Sequence, residues 1–214
     1  MDSRGIFFVS GIDTGIGKSY ATGFLAREWN RAGIRTITQK FIQTGNTAVS
    51  EDILVHRRIM GTGLLPCDEN RDTMPEIFTY PASPLLASRI DGRPVDLAKI
   101  EAAGQRLLQQ YDAVLLEGAG GLMVPLTDHM LTIDYVATRA LPLILVTSGR
   151  LGSINHTLLS LESIQSRRIP LHALLYNTTA ESEDALISRD TRDYLAAYLA
   201  AHFPGTSIIE VPAL

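Results

Sequence analysis

Cysteine is almost absent from this sequence, since Cys67 is the single one among 214 residues. One cysteine excludes an internal disulfide and any zinc or iron–sulfur site built from several cysteines. The five histidines show no H-E-x-x-H or other close-paired ligand spacing. Such scarcity is typical of a protein from a reducing compartment. We therefore expect a cytoplasmic protein.

Long apolar runs and an excess of basic residues are also missing. The N-terminal run Ile6–Val9 is too short for the core of a signal peptide. No run approaches the roughly 18 apolar residues of a membrane span. Nineteen Lys and Arg against 23 Asp and Glu give a net charge of −4. This balance argues against a nucleic-acid or membrane partner, although a small anionic ligand needs only two or three local positive groups.

What the sequence does have is enough apolar residue for one core. At 214 residues and 45% hydrophobic content, a chain buries about 70% of the surface that it exposes when unfolded. No disulfide or metal is needed for such a core to be stable. We expect one domain over residues 1–214.

Short apolar runs alternate with helical stretches along the chain. The runs expected to form strands are Ile6–Ser10, Arg35–Gln39, Ala113–Glu117, Leu143–Thr147, Leu171–Tyr176 and Ser207–Val211. The expected helices are Lys18–Ala32, Ser50–Met60, Asp96–Gln110, Ile133–Arg139, Ser153–Arg167 and Glu183–Ala201. The irregular stretch Gly61–Pro84 is expected to be a surface excursion. This order predicts an α/β three-layer fold with a mostly parallel sheet and helices on both faces.

A phosphate-binding loop follows the first strand. Ser10–Ser19 contains a glycine-rich turn that ends in Gly-Lys-Ser at the start of a helix. The backbone N–H groups and the helix dipole form an anion cradle there. Lys18 is expected to reach the β and γ phosphates, and the Ser19 hydroxyl to ligate Mg²⁺. Ile12 replaces the first glycine of the strict pattern, and the alternative is an ordinary glycine-rich turn.

Two further strands end in charged residues. Glu117 ends a buried-type strand and is followed by glycines, so it could hold Mg²⁺ beside a phosphate loop. Lys40 ends the second strand and could stabilise phosphoryl charge. Asp52, in the first turn of a helix, could bring a second acid to the metal. The plainer alternatives are a loop-capping acid, a solvated lysine and an ordinary helix start with Ser50 as its N-cap.

Together these segments resemble the dethiobiotin synthetase family. The family's loop G-x-D-T-x-x-G-K-[ST] matches Gly11–Ser19, and its K-P-x-x-[ST]-G matches Lys40–Gly45 with Phe41 in place of proline. Further matches are the E-G-A-G-G, P-L-[ST]-D, L-G-x-I-N-H, Ser-Pro and Gly-Arg-Pro segments at Glu117–Gly121, Pro125–Asp128, Leu151–His156, Ser83–Pro84 and Gly92–Pro94. The resemblance runs from residue 5 to about residue 177.

The resemblance implies an ATP- and Mg²⁺-dependent ring closure of 7,8-diaminopelargonate with CO₂ through a carbamate. It implies catalytic roles for Lys18 and Lys40. The implied metal ligands are Ser19, Asp52 and Glu117. The implied nucleotide-binding residues are Asp13, Thr14, Gly15, Ile16, Gly17, Lys18, Ser19, Tyr20, Glu117, Asn177 and Pro212. The implied substrate-binding residues are Thr14, Lys40, Thr44, Gly118, Gly152, Ser153, Ile154 and Asn155.

The family also implies a homodimer, in which the helix start at Gly152–Asn155 receives the substrate carboxylate from the opposite subunit.

Three other functions compete with this interpretation. A partition or regulatory ATPase typically has a lysine early in the loop, where this chain has Ser10 and Gly11. An amide ligase for a larger substrate needs an added glutaminase domain. A nucleotide-binding paralogue without synthetase activity remains open.

Overall fold

The computed structural model describes residues 4–180 and 184–213. Its central sheet has six strands: β1 (Gly5–Gly11), β2 (Thr36–Lys40), β5 (Ala113–Gly121), β8 (Leu143–Ser148), β9 (Leu171–Asn177) and β10 (Ser207–Val211). The strand order is β10-β9-β8-β1-β5-β2, and every neighbouring pair is parallel. The six expected strands are therefore confirmed, although β5 continues past its expected end at Glu117 to Gly121.

The helices are α1 (Lys18–Arg31), α2 (Glu51–Met60), α3 (Pro66–Glu69), α4 (Pro84–Ile90), α5 (Leu97–Leu108), α6 (Thr132–Thr138), α7 (Ser153–Ser166) and α8 (Ala185–His202). A short 3₁₀ turn covers Thr178–Ala180. Two small sheets pair β3 (Gln43–Thr44) with β4 (Ile77–Phe78) and β6 (Pro125–Thr127) with β7 (Met130–Leu131). The sequence analysis did not predict α3, α4 or these four short strands.

The sheet is covered on both faces, as apolar runs without alternation predict. Successive residues of β1 point to opposite sides. Phe7 and Val9 join the core beneath α1, while Phe8 joins the core beneath α5, α6, α7 and α8. This arrangement confirms the three-layer α/β fold.

The charged strand ends meet at one edge of the sheet. β1 lies between β8 and β5, so the chain crosses over β1 when it passes from one half of the sheet to the other. In open parallel sheets, ligands bind at such a point, beyond the carboxyl ends of the strands. The register places Glu117 directly beside Val9 of β1 and Lys40 of β2. The fold alone thus brings Lys40, at the end of β2, beside Glu117 of β5.

The expectation of a surface excursion at Gly61–Pro84 agrees with the structure at residues 61–64 and 79–81, which are exposed, but not in the middle of the segment, which is mostly buried. This segment forms α3 and β4, and it buries Thr73, Met74 and Phe78. Its backbone polar groups are paired with the edge of the sheet, because the Lys40 N–H donates to the Thr73 carbonyl at 2.7 Å and the Gln43 N–H to the Glu76 carbonyl at 2.9 Å. A segment without periodicity can be buried when long-range hydrogen bonds satisfy its backbone.

Helix boundaries agree with the expected ones within a few residues. Ser50 caps α2 and Asp96 caps α5, each accepting a backbone N–H at the start of its helix. The expected start of the last helix, Glu183, lies outside the described residues, and the described helix begins at Ala185. Within residues 4–180 and 184–213, no helix combines the length and the apolar character needed to cross a bilayer.

Candidate active site

The phosphate loop lies between the end of β1 and the start of α1. No described side chain caps α1, so the N–H groups of its first turn are left to an anion. Gly15 and Gly17 both have left-handed backbones, with φ of 72° and 84°. The expected loop-and-helix arrangement is confirmed, and the alternative of an ordinary turn explains neither the open helix start nor the lysine above it.

Lys18 folds back over the loop. Its ammonium lies so close to Gly11 that a Cβ on that glycine would be 2.7 Å from Lys18 Nζ. Burial lowers the pKa of Lys18 to about 8, although Glu117 acts in the opposite direction. The loop therefore presents a desolvated positive group, which interacts more strongly with phosphate oxygens than a solvated lysine does.

Ser19, Asp52 and Glu117 converge from three elements. The Ser19 hydroxyl lies 2.7 Å from Asp52 Oδ1 and 2.9 Å from Glu117 Oε1. The three residues come from the start of α1, the start of α2 and the middle of β5. The sequence-predicted metal ligands are thus brought together.

Lys40 lies between the two acids. Its Nζ is 2.8 Å from Glu117 Oε1 and 2.5 Å from Asp52 Oδ2, and it donates to the Gly118 carbonyl at 3.1 Å. Only 4% of Lys40 is exposed and Glu117 is fully buried. Neither the solvated lysine nor the loop-capping acid of the plainer interpretation agrees with these contacts.

The charges in this cluster stabilise one another. Burial opposes the charged form of Lys40, but Glu117 and Asp52 outweigh it and raise the pKa of that lysine. Burial likewise opposes an ionised Glu117, but Lys40 and His56 hold the pKa of its carboxyl well below the usual value. The site therefore keeps an ammonium and a carboxylate in contact at neutral pH.

The donor set suits Mg²⁺. Two carboxylates and one hydroxyl are hard oxygen ligands, and Mg²⁺ is usually held by one or two carboxylates together with substrate phosphates and water. Among the described residues, no group of three or more His, Cys, Asp or Glu side chains is placed to hold a metal ion. A cation here would thus depend on the nucleotide for its remaining ligands.

Thr14 and Thr44 line the same cavity, of about 390 Å³, beside the phosphate loop. The unpredicted helix α4 contributes Pro84, and Gly120 forms part of the opposite wall. Gly118 lies next to this wall and accepts the hydrogen bond from Lys40. Two predicted substrate residues, Thr14 and Thr44, therefore line one cavity, while Lys40 and Gly118 contact each other beside it.

The other predicted substrate residues, Gly152, Ser153, Ile154 and Asn155, do not line this cavity. Gly152, Ile154 and Asn155 line a groove of about 770 Å³ between α7 and α8, and the Ser153 side chain is buried. Leu151, at the rim of this groove, is 82% exposed, and Leu186 is 73% exposed. Within one chain, these substrate-binding predictions do not join the cavity at Thr14 and Thr44.

Asn177 and Pro212 both contact the region around the phosphate loop. The Asn177 side-chain amide donates to the Ile16 carbonyl at 2.9 Å. The Tyr20 hydroxyl donates to the Pro212 carbonyl at 3.0 Å. Asp13, at the other side of the loop, pairs with Arg150 at 2.7 Å. The structure thus groups these predicted nucleotide residues, and it adds Arg150, which the sequence analysis had not selected.

Known proteins are similar in sequence to this chain over nearly its whole length. The profile of a family described as AAA domain matches residues 6–211. The ATP-dependent dethiobiotin synthetase BioD 2 of Pasteurella multocida is 47% identical over 94% of this chain and 94% of its own length. BioD 2 of Haemophilus ducreyi is 50% identical over 95% of this chain and 96% of its own. The chain belongs to the dethiobiotin synthetase family.

As a dethiobiotin synthetase, the chain is also a member of the AAA domain family that the profile describes. Solved structures share its fold at low identity. A ParA family ATPase from Chlorobium tepidum is 16% identical, with a TM-score of 0.53 over 96% of this chain and 84% of its own. A signal recognition particle receptor FtsY from Elizabethkingia anophelis is 14% identical, with a TM-score of 0.54 over 95% of this chain and 56% of its own. These likenesses concern the fold alone.

Besides Arg150, a second residue of this synthetase site was not predicted from the sequence. His56 is fully buried, and its Nε2 lies 2.7 Å from Glu117 Oε2. It follows Asp52 by four positions on α2, a spacing that puts both side chains on one face of the helix. That spacing was the available signal, but it does not reveal which strand end the face would meet.

Proposed function

We propose that this chain catalyses the ATP-dependent ring closure of 7,8-diaminopelargonate with CO₂ to dethiobiotin. One amine of the substrate takes up CO₂ as a carbamate. A carbamate oxygen attacks the γ-phosphate, which releases ADP and forms a carbamic–phosphoric anhydride. The second amine attacks its carbonyl carbon, so phosphate leaves and the cyclic urea forms. The observation that carries this proposal is the buried contact of Lys40 with Asp52 and Glu117 beside Lys18, in a chain of this family.

The chemistry needs positioning and charge stabilisation more than covalent help, because diamine and ATP supply the reacting groups. Lys18 would bind the β and γ phosphates from the loop, together with the backbone N–H groups at the start of α1. Lys40 would neutralise the negative charge that accumulates between carbamate and γ-phosphate. Its contacts with Glu117 and Asp52 support this role, since they keep the ammonium charged and fixed in direction.

Ser19, Asp52 and Glu117 would hold Mg²⁺, and their convergence supports this assignment. When bound, the ion would supply charge neutralisation at the phosphates. Asp13, Thr14, Gly15, Ile16 and Gly17 would enclose the phosphates, and Asn177, Tyr20 and Pro212 would lie around the base.

Thr14, Thr44 and Gly118 would contact the diamine and carbamate around the 390 Å³ cavity. We propose that Gly152, Ser153, Ile154 and Asn155 of a second copy bind the substrate carboxylate, in a homodimer. Their position in a separate groove of the same chain and the exposed leucines beside them support a composite site. We also propose that residues 1–214 form one domain and that the protein is cytoplasmic.

The decisive measurement is phosphate release from ATP by the purified protein. We expect release only when Mg²⁺, bicarbonate and the diamine are all present, with dethiobiotin formed in equal amount. Omission of the diamine is the key control. Equal turnover with ATP alone would instead identify a regulatory or partition-type ATPase, and binding of ATP without any turnover would identify a nucleotide-binding paralogue.

A further inference from the structure

His56 is a buried polar residue that the reaction, as described so far, does not use. It lies one helical turn after Asp52 on α2, and its side chain is 0% exposed. Its Nε2 is 2.7 Å from Glu117 Oε2. A carboxylate only accepts hydrogen bonds, so the ring nitrogen carries the hydrogen and donates it.

The hydrogen bonds of Glu117 are divided between its two oxygens. Oε1 accepts from Lys40 Nζ at 2.8 Å and from the Ser19 hydroxyl at 2.9 Å. Oε2 accepts from His56. Because His56 holds Oε2, the other oxygen is directed at the serine and the lysine, where phosphate and metal would lie.

The second ring nitrogen makes the presence of a histidine costly. His56 Nδ1 is buried and has no hydrogen-bond partner among the described residues. A buried polar atom without a partner disfavours the folded state, and an apolar side chain of similar size would avoid this cost. The imidazole offsets this cost with one strong interaction, the hydrogen bond that it donates to Glu117.

The packing of α1 against α2 brings this donor close. A Cβ on Gly23 of α1 would lie 3.1 Å from the Cα of His56. The glycine therefore lets α2 approach α1 at the position of His56. The same two helices carry Ser19 and Asp52, so a shift of α2 would move the donor and one proposed metal ligand together.

We propose that His56 is a positioning residue that fixes the direction of the Glu117 carboxylate for metal and phosphate. This inference rests on the proposed Mg²⁺ site. Groups that hydrogen-bond a ligating carboxylate orient it, and their loss typically costs 10–100-fold in metal affinity or activity. His56 acts through Glu117 and touches neither substrate nor nucleotide.

Two substitutions separate the hydrogen bond from the packing. H56L removes the donor and keeps an apolar side chain of similar volume. H56Q keeps an N–H donor, because the amide nitrogen of glutamine is as many bonds from Cβ as Nε2 of histidine. We expect H56L to weaken Mn²⁺ binding in the presence of ADP by about 10–100-fold, and H56Q to stay within about threefold of the wild type.

The measurement is Mn²⁺ binding followed by electron paramagnetic resonance, with ADP in excess and without turnover. Tight binding to the wild type and to H56Q, but not to H56L, supports the inference. Equal binding by H56L and the wild type overturns it, and so does equal weakening by both variants. If the wild type itself binds no Mn²⁺, the metal assignment fails first, while dethiobiotin formation can still be measured separately.

Wild-type protein with ¹⁵N-labelled histidine gives a second test that does not depend on a variant that folds. We expect the His56 signal to show a proton bonded to Nε2 that exchanges slowly with water, because the site is buried. An unprotonated Nε2 would overturn the proposed donation.

Discussion

Gly17 has a left-handed backbone, and the amide of Asn177 lies in the space that a side chain would need. A Cβ on Gly17 would be 2.2 Å from Asn177 Nδ2, whereas a Cβ on Gly15 would meet nothing within 4 Å. Both glycines have positive φ, so both substitutions to alanine carry the same kind of backbone strain, about 1–2 kcal/mol. The pair therefore isolates the contact with Asn177.

We expect G17A to weaken ADP binding at least about tenfold, which is 1.4 kcal/mol. The added methyl group displaces Asn177 and with it the hydrogen bond to the loop carbonyl of Ile16. G15A should lower the free energy of unfolding by a similar backbone term and change ADP affinity by less than about threefold. Calorimetric titration with ADP and urea unfolding measure the two effects; equal loss of affinity in both variants would contradict the prediction.

At the residue scale, the sequence predicted the two charged residues that follow apolar runs. Lys40 ends β2, whereas Glu117 lies in the middle of β5, and the parallel register places the two side by side. His56 could not be found in this way, because no local pattern indicates that α2 packs against Glu117 of β5. The same limit applies to the buried middle of Gly61–Pro84, since its burial depends on hydrogen bonds to β2 and β3, which are remote in sequence.

At the scale of elements, the short pair β3–β4 positions Thr44 at the cavity. The side chain of Arg93 stabilises this pair of strands. Its Nη1 lies 2.6 Å from Glu76 Oε2, and its Nη2 donates to the Ile77 carbonyl at 2.5 Å. The guanidinium also lies 3.9 Å from the centre of the Phe78 ring. A planar fork makes these contacts at once, which an ammonium cannot do.

We expect R93K to raise the KM for the diamine about fivefold while leaving ADP affinity unchanged. R93K weakens a half-exposed ion pair and removes the second hydrogen bond. Together these losses should reduce the free energy of diamine binding by about 1 kcal/mol. Lys99 offers a matched control, since it contacts the other oxygen of Glu76 at 3.1 Å and is more exposed. K99M should change KM by less than about twofold. Steady-state kinetics with varied diamine would contradict this prediction if both variants behaved alike.

At the scale of the whole molecule, the predicted substrate residues divide between two places. Thr14 and Thr44 line the cavity at the phosphate loop, whereas Ile154 and Asn155 lie in the groove between α7 and α8. The apolar rim of that groove, with Leu151 and Leu186 exposed, is the kind of surface that another protein surface covers. In a two-fold dimer, the groove of each copy can lie against the cavity of the other copy and complete its substrate site.

Mixing two inactive variants tests this arrangement. We expect K18A and N155A each to be nearly inactive alone and to regain about one quarter of wild-type activity after subunit exchange. Half of the dimers are then mixed, and each mixed dimer has one intact site. Labelled subunits show whether exchange has occurred. Exchange without recovered activity would mean that each chain completes its own site.

The ammonium of Lys40 also affects cation binding before any nucleotide is bound. Lys40 lies between Asp52 and Glu117 and offsets one of their two negative charges, so the acid pair attracts free cations in the medium less strongly. We expect Mn²⁺ to bind weakly when ADP is omitted from the titration. The metal would then enter as a complex with its nucleotide, and stray divalent ions could not occupy the site in advance. A lysine at the end of β2 would thereby set the order in which nucleotide and metal bind.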